Sequence, residues 1–133
     1  MGNYTVKNLR EVEDSAVKFG FAPDMSARFA SGDLGLEKSG VSLQGLAPNK
    51  RGKFGHRHEQ QEELYVIVSG SGRVKLDDEV VELRQWDAVR VPPEVVRQFE
   101  AGPDGLELIA FGAPRNDASA AKDAEMLGDV WGD

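Results

Sequence analysis

From Gly40 to Phe111 the chain is written in short β-forming runs separated by turn residues, and this rhythm restricts the fold more than any other feature. Val41–Leu46 alternates apolar and polar side chains until Pro48-Asn49, where asparagine tolerates a left-handed turn. Phe54–His58, Glu63–Val68, Arg73–Leu76, Val80–Leu83, Ala88–Val91, Gln98-Phe99 and Leu106–Phe111 continue the series. Gly70-Ser71-Gly72 is expected to turn the chain, and Asp77-Asp78-Glu79 to form a hairpin loop. Strands recurring at roughly eight- to twelve-residue spacing, with no convincing helix between them, predict an all-β antiparallel sandwich or barrel. The barrel domain is read as residues 40–112, preceded by an arm or cover (1–39) and followed by a tail that packs on the barrel (113–133).

The flanks are less regular. Val6, Leu9, Val12, Val17, Phe19 and Phe21 fit no single period, so one or two short strands in an irregular arm are expected. Residues 24–29, after Pro23, read as a helical turn, and residues 117–127 as a short helix of good helix formers behind a capping aspartate. Trp131 is a large apolar surface that gains by burial, either on its own barrel or against a second subunit.

Composition excludes several functions. At 133 residues the chain suits one domain with a real core. It has no cysteine, hence no disulfide and no thiolate ligand, which fits a reducing cytoplasm as the expected location. The longest strongly apolar run, Leu64–Val68, is too short to cross a bilayer, and no basic, apolar leader opens the sequence, so no membrane partner is expected. A net charge of −7 argues against a broad phosphate-backbone footprint, so nucleic acid is not an expected partner.

The chemistry concentrates in residues 56–72. His56 and His58 are the only histidines. Two residues apart on a strand, they point to the same face about 7 Å apart. A polar turn, Glu59–Glu62, leads to Glu63, and pairing of the two strands would return that carboxylate to the imidazoles. Two histidines and a carboxylate suit a divalent first-row metal. An isolated His-x-His is more often ordinary surface or core histidine than ligand. Glu62, on the other face, reads as solvated, and Arg57 as a solvated or subunit-contact residue. Tyr65 shares Glu63's face and Phe99 shares that of Arg97, so both are candidates to line a pocket, with plain core packing as the alternative. Lys50, Arg51 and Lys53 read either as an anion-steering cluster or as solubilising charge.

His56-x-His58-x4-Glu63-x6-Gly70 resembles the first motif of the cupins, and Trp86-Asp87 through Pro92 to Phe99 resembles the second. The resemblance covers residues 40–112 and implies a double-stranded β-helix, a jelly-roll barrel. It implies His56, His58 and Glu63 as ligands of one divalent transition metal (Mn, Fe, Ni or Zn). The pattern departs where Lys50, Trp86 and Glu94 replace glycines and Arg97 replaces the fourth ligand histidine.

Arginine has no lone pair for a metal. Three arrangements follow: a three-ligand metal with Arg97 swung aside to clamp a substrate anion, a metal-free pocket with Arg97 paired to Glu63, or Arg97 in solvent with Gln98 or water completing the metal site. Gln60 and Gln61 are further loop candidates. The resemblance implies an isomerase, dioxygenase or decarboxylase; Arg97 points to a small anionic substrate, with Arg97, Tyr65 and Phe99 as candidate contacts and Glu62, Tyr65 and Glu94 as the nearby options for acid–base work. The alternatives are a non-catalytic small-ligand-binding cupin and a dimerisation scaffold with a vestigial pocket. The family also implies a homodimer.

Overall fold

The computed structural model describes residues 3–115 and 123–133. Its eight strands are β1 (Met25–Phe29), β2 (Gly40–Leu46), β3 (Gly55–His58), β4 (Glu62–Leu76), β5 (Glu79–Arg84), β6 (Ala88–Val91), β7 (Arg97–Ala113) and β8 (Ala124–Gly128). Two four-residue helices, α1 (Ser15–Lys18) and α2 (Ser31–Leu34), flank β1. Every strand pairing is antiparallel.

The long strands β4 and β7 pair with each other along most of their length and belong to two sheets at once. In one sheet the order is β1-β2-β7-β4-β6, built on Glu62–Gly70 and Leu106–Ala113. In the other it is β5-β4-β7-β3-β8, built on Gly72–Leu76 and Arg97–Ala101. The sheets curl towards each other around a core of Tyr65, Ile67, Val74, Leu83, Val91, Ala101, Leu106, Leu108 and Ala110. Alternation places these side chains: on β4, Glu63, Tyr65 and Ile67 are buried while Glu62 and Leu64 are exposed. This is the double-stranded β-helix that the motif resemblance implied, and it falls within the sandwich-or-barrel class predicted from the strand rhythm.

Gly70-Ser71-Gly72 does not turn the chain. β4 runs through it with register shifts on either side of Gly70, and this is where the strand passes from one sheet to the other. Glycine is required for two reasons. Gly70 has a φ of 73°, and a Cβ on it would stand 2.1 Å from the Gly105 carbonyl oxygen; one on Gly72 would stand 2.2 Å from that of Glu100. The Leu106–Phe111 run, expected as a separate last strand, is likewise continuous with Gln98-Phe99 in β7. The Asp77-Asp78 hairpin and the left-handed Asn49, with a φ of 62°, match expectation.

The flanks depart further from their local propensities. Residues 25–29, expected as a helical turn, form β1, because the free edge of β2 offers each of them a ladder partner, from Met25↔Leu46 to Phe29↔Ser42. Part of the expected C-terminal helix, residues 117–122, lies outside the described residues, but Ala124–Gly128 is a strand, since β3 presents it with an unpaired edge. Propensity yields here to open hydrogen-bonding groups.

Trp131 lies on its own barrel, 9% exposed, between the guanidinium groups of Arg51 and Arg73 at 4.6 and 4.7 Å. Arg51 also pairs with Glu100 and Asp133, and Lys53 with Asp24, so two cations of the basic loop serve ion pairs within the fold. Trp86, which stands where the motif has a glycine, has a left-handed backbone with a φ of 73°, and its ring is largely exposed.

Gly70→Ala is expected to lower the unfolding free energy by about 3 kcal/mol, the sum of left-handed strain and a steric clash at the sheet crossing. Gly32→Ala, with no atom within 4 Å of the new methyl, should stay within about 0.5 kcal/mol of the parent. Denaturant unfolding of the two variants side by side checks the pair.

Candidate metal centre

β3 holds His56 and His58 on the inward face of one sheet, with Arg57 outward, where its Nε donates to Glu125 at 2.9 Å. Glu63 does not return by pairing with β3. It opens β4 in the opposite sheet, opposite Gly112 and Val91, and reaches the histidines across the mouth of the barrel. His56 Nε2 lies 3.3 Å and His58 Nε2 3.1 Å from Glu63 Oε1. One donor atom from each of the three residues falls within 4.8 Å of the others.

The same oxygen meets two more groups. The Tyr65 hydroxyl donates to it in a short hydrogen bond, and Arg97 Nη2 stands 3.5 Å away. Burial opposes the charge on Glu63, but hydrogen bonds, from His56 first and also from Tyr65, outweigh it and hold the carboxyl well below the usual carboxylate range. Burial, then the charge of Glu63, pushes the Tyr65 phenol well above its ordinary value, so Tyr65 stays a donor.

Arg97 is fully buried beside the histidines, opposite His56 in the β3–β7 pair. Its Nη1 donates to the main-chain carbonyls of Val95 (2.9 Å), Pro93 (3.3 Å) and His56 (3.4 Å), and Nη2 to that of Pro92 (3.5 Å). These bonds anchor the guanidinium to the Pro92–Val95 turn and to β3. Arg97 does not point to solvent, so the third of the arrangements weighed above is not the one adopted. Gln98 is occupied elsewhere, donating to Gly52 O and accepting from Val130 N.

His56, His58, Glu63 and Arg97 line a cavity of about 570 Å³. Phe21, Phe54, Phe99, Met25, Leu46, Leu108 and Met126 supply most of its wall, and Ser42, Gln44 and Gln61 add polar points. Phe99 therefore lines the cavity. Tyr65 stands behind Glu63 in the core, its ring 4.8 Å from that of Phe99. Glu62 is exposed, as its place on the strand required.

Sequence reasoning missed Asp123. Its Oδ2 lies 2.9 Å from His58 Nδ1, and its carboxylate accepts from the main-chain N–H groups of Gln60 and Gln61. It comes from just ahead of β8, and no local spacing links it to the histidines.

The donor set fits a divalent metal. His58 Nε2 is buried and has no hydrogen-bond partner. An imidazole whose Nδ1 proton goes to Asp123 turns the Nε2 lone pair towards Glu63 Oε1, and lone pair against carboxylate at that distance is repulsive unless a metal cation or a second ring proton lies between them.

A family model for the cupin domain matches residues 42–111. The chain belongs to the cupin family. Among solved structures it is similar to a cupin protein from Bacteroides fragilis, with 26% identity over 86% of each chain and a TM-score of 0.70. It is also similar to a Streptomyces Pac13 variant determined with uridine, with 18% identity over 98% of this chain and 94% of that one and a TM-score of 0.72. Another Pac13 structure describes that protein as a nucleoside dehydratase; at 17% identity the likeness is one of fold. A curated relative, an uncharacterised protein of Methanocaldococcus jannaschii, is 36% identical over 45 residues, and the match spans about a third of that protein's length, 36%. Among the described residues of this cupin no helix is long and apolar enough to cross a membrane.

Because the carboxyl of Glu63 is depressed in the folded cupin, the unfolded chain takes up its proton first as the pH falls. The ionised group thus contributes stability above its unfolded value of about 4.3 and loses it as pH drops towards the folded value. Glu63→Gln is expected to flatten the acid limb of the metal-free protein's stability below about pH 5, which denaturant midpoints across a pH series will measure.

Proposed function

We propose that this cupin is a metal-dependent enzyme acting on a small anionic molecule. The supporting observation is the convergence of His56, His58 and Glu63 in the wall of a ligand-sized cavity. These three side chains would hold the ion. A bound divalent ion would supply Lewis acidity for isomerase- or decarboxylase-type chemistry, or a redox centre for an oxygenase. Arg97 offsets the charge of Glu63, so two neutral imidazoles and a divalent ion leave the site with surplus positive charge, which favours an anionic group on the ligand. Arg97 lines the cavity and remains the proposed contact for that group: its Nη atoms grip the Pro92–Val95 turn, while its Nε has no hydrogen-bond partner. Phe21, Phe54 and Phe99 give the rest of the ligand an apolar surface, and the cavity volume lies in the range for small-molecule sites.

One observation favours a second reading, a metal-free binding pocket. Arg97 Nη2 already lies near the Glu63 oxygen that a metal would use, at the motif position where the family has its fourth histidine. The uridine held by the Streptomyces relative is an instance of a small organic ligand on this fold. Neither reading calls on nucleic acid or a membrane, and the cysteine-free chain suits a reducing cytoplasm.

Metal analysis of protein purified without chelator decides between them. About one equivalent of a transition metal is expected, lost in a His56→Ala, His58→Ala double variant. A parent that stays metal-free after incubation with manganese, iron, nickel and zinc salts would sink the enzyme reading and leave the binding pocket.

We extend the proposal to a homodimer. Val41, Phe111 and Leu64 are consecutive cross-strand neighbours on β2, β7 and β4, and the last two expose about two fifths of their surface, 42% and 39%. Light scattering is expected to give twice the chain mass for the parent and a single chain mass for Phe111→Glu. A monomeric parent removes the idea.

A further inference from the structure

Asp123 lies outside residues 42–111, the segment that carries the family match, and it touches the metal centre through one atom pair. We infer that Asp123 is a positioning residue that holds His58 in the tautomer with hydrogen on Nδ1, leaving the Nε2 lone pair free to bind a cation.

A carboxylate 2.9 Å from Nδ1 can only accept, so that nitrogen carries the hydrogen and a neutral ring exposes its lone pair at Nε2. Nε2 is the buried, partnerless atom that faces Glu63. A histidine side chain left to itself favours hydrogen on Nε2, which would turn a donor towards Glu63 and close the site to a metal. Asp123 reverses that preference. Outer carboxylates that receive the second N–H of a ligand histidine commonly act in this way.

The carboxylate is itself held in place. Gln60 and Gln61 donate their main-chain N–H groups to it at 2.9 and 3.1 Å, and Glu59 N donates to Asp123 O at 2.9 Å. Beyond Asp123, β8 pairs with β3 itself, so the strand that follows the positioning residue lies alongside the one that carries the histidine. The chain end is secured in turn: Lys75 Nζ donates to the carbonyls of Val130 and Trp131, and Arg51 pairs with Asp133. The C-terminal segment thus completes a site whose proposed ligands all come from β3 and β4.

The test separates this role from plain loop capping and from the metal reading on which its affinity arm rests. Nitrogen-15 two-bond correlation spectra of metal-free protein, at mildly alkaline pH, report the His58 tautomer directly. Hydrogen on Nδ1 is expected in the parent and in Asp123→Asn, whose amide oxygen still accepts, and hydrogen on Nε2 in Asp123→Ala. Zinc titration should show affinity reduced roughly 10- to 100-fold in Asp123→Ala and largely restored in Asp123→Asn. A tautomer switch in a protein that takes up no zinc would support the positioning role while removing the metal reading. Hydrogen on Nε2, or on both nitrogens, in the parent would overturn the inference, as would an unchanged tautomer in a folded Asp123→Ala.

Discussion

The close approach of β4 and β7 is the constraint on which the rest of this structure depends. Each strand serves two sheets, so each must bend where one sheet gives way to the other while keeping its ladder with its neighbour. Side chains would prevent that, because a Cβ at Gly70 or Gly72 falls within the contact distance of a facing carbonyl oxygen. With hydrogen there instead, both strands turn together and the sheets curl over a common core. The opening of β4 then stands across the barrel from β3, and this opposition brings Glu63 to the histidines.

At the centre, several donors compete for a single carboxylate oxygen. Tyr65, His56 and Arg97 all approach Glu63 Oε1. Such crowding is tolerated in a buried site only because Glu63 stays ionised, and it leaves His58 Nε2 and Arg97 Nε without a hydrogen bond. Arg97 occupies its place by filling the carbonyls of the turn that precedes it, a role that a neutral imidazole with a single N–H could not reproduce. The arginine thus helps to shape the site as well as to set its charge.

Much of this was legible along the chain. Alternation on β4 sorted Glu63 and Tyr65 inward from Glu62 outward, and the His-x-His spacing put two imidazoles on one face, because side-chain direction on a strand is a local property. The inward burial of Arg97 was one of several open alternatives, since a motif position does not say which backbone carbonyls surround it. Where local signals competed with free strand edges they lost: residues 25–29 and 124–128 became strands against the unpaired edges of β2 and β3.

By itself, then, the sequence determined the all-β class and the inward faces, which follow from periodicity, and set two histidines and a carboxylate within one short segment; the barrel followed from the resemblance to the cupin motifs. Only the tertiary structure decided that Gly70–Gly72 is a crossing and not a turn, that Glu63 arrives from the opposite sheet, that Arg97 is anchored to main-chain carbonyls and that Asp123 holds His58. Each of these depends on a contact between segments that periodicity does not link. Such contacts exist only once the two sheets have closed on each other.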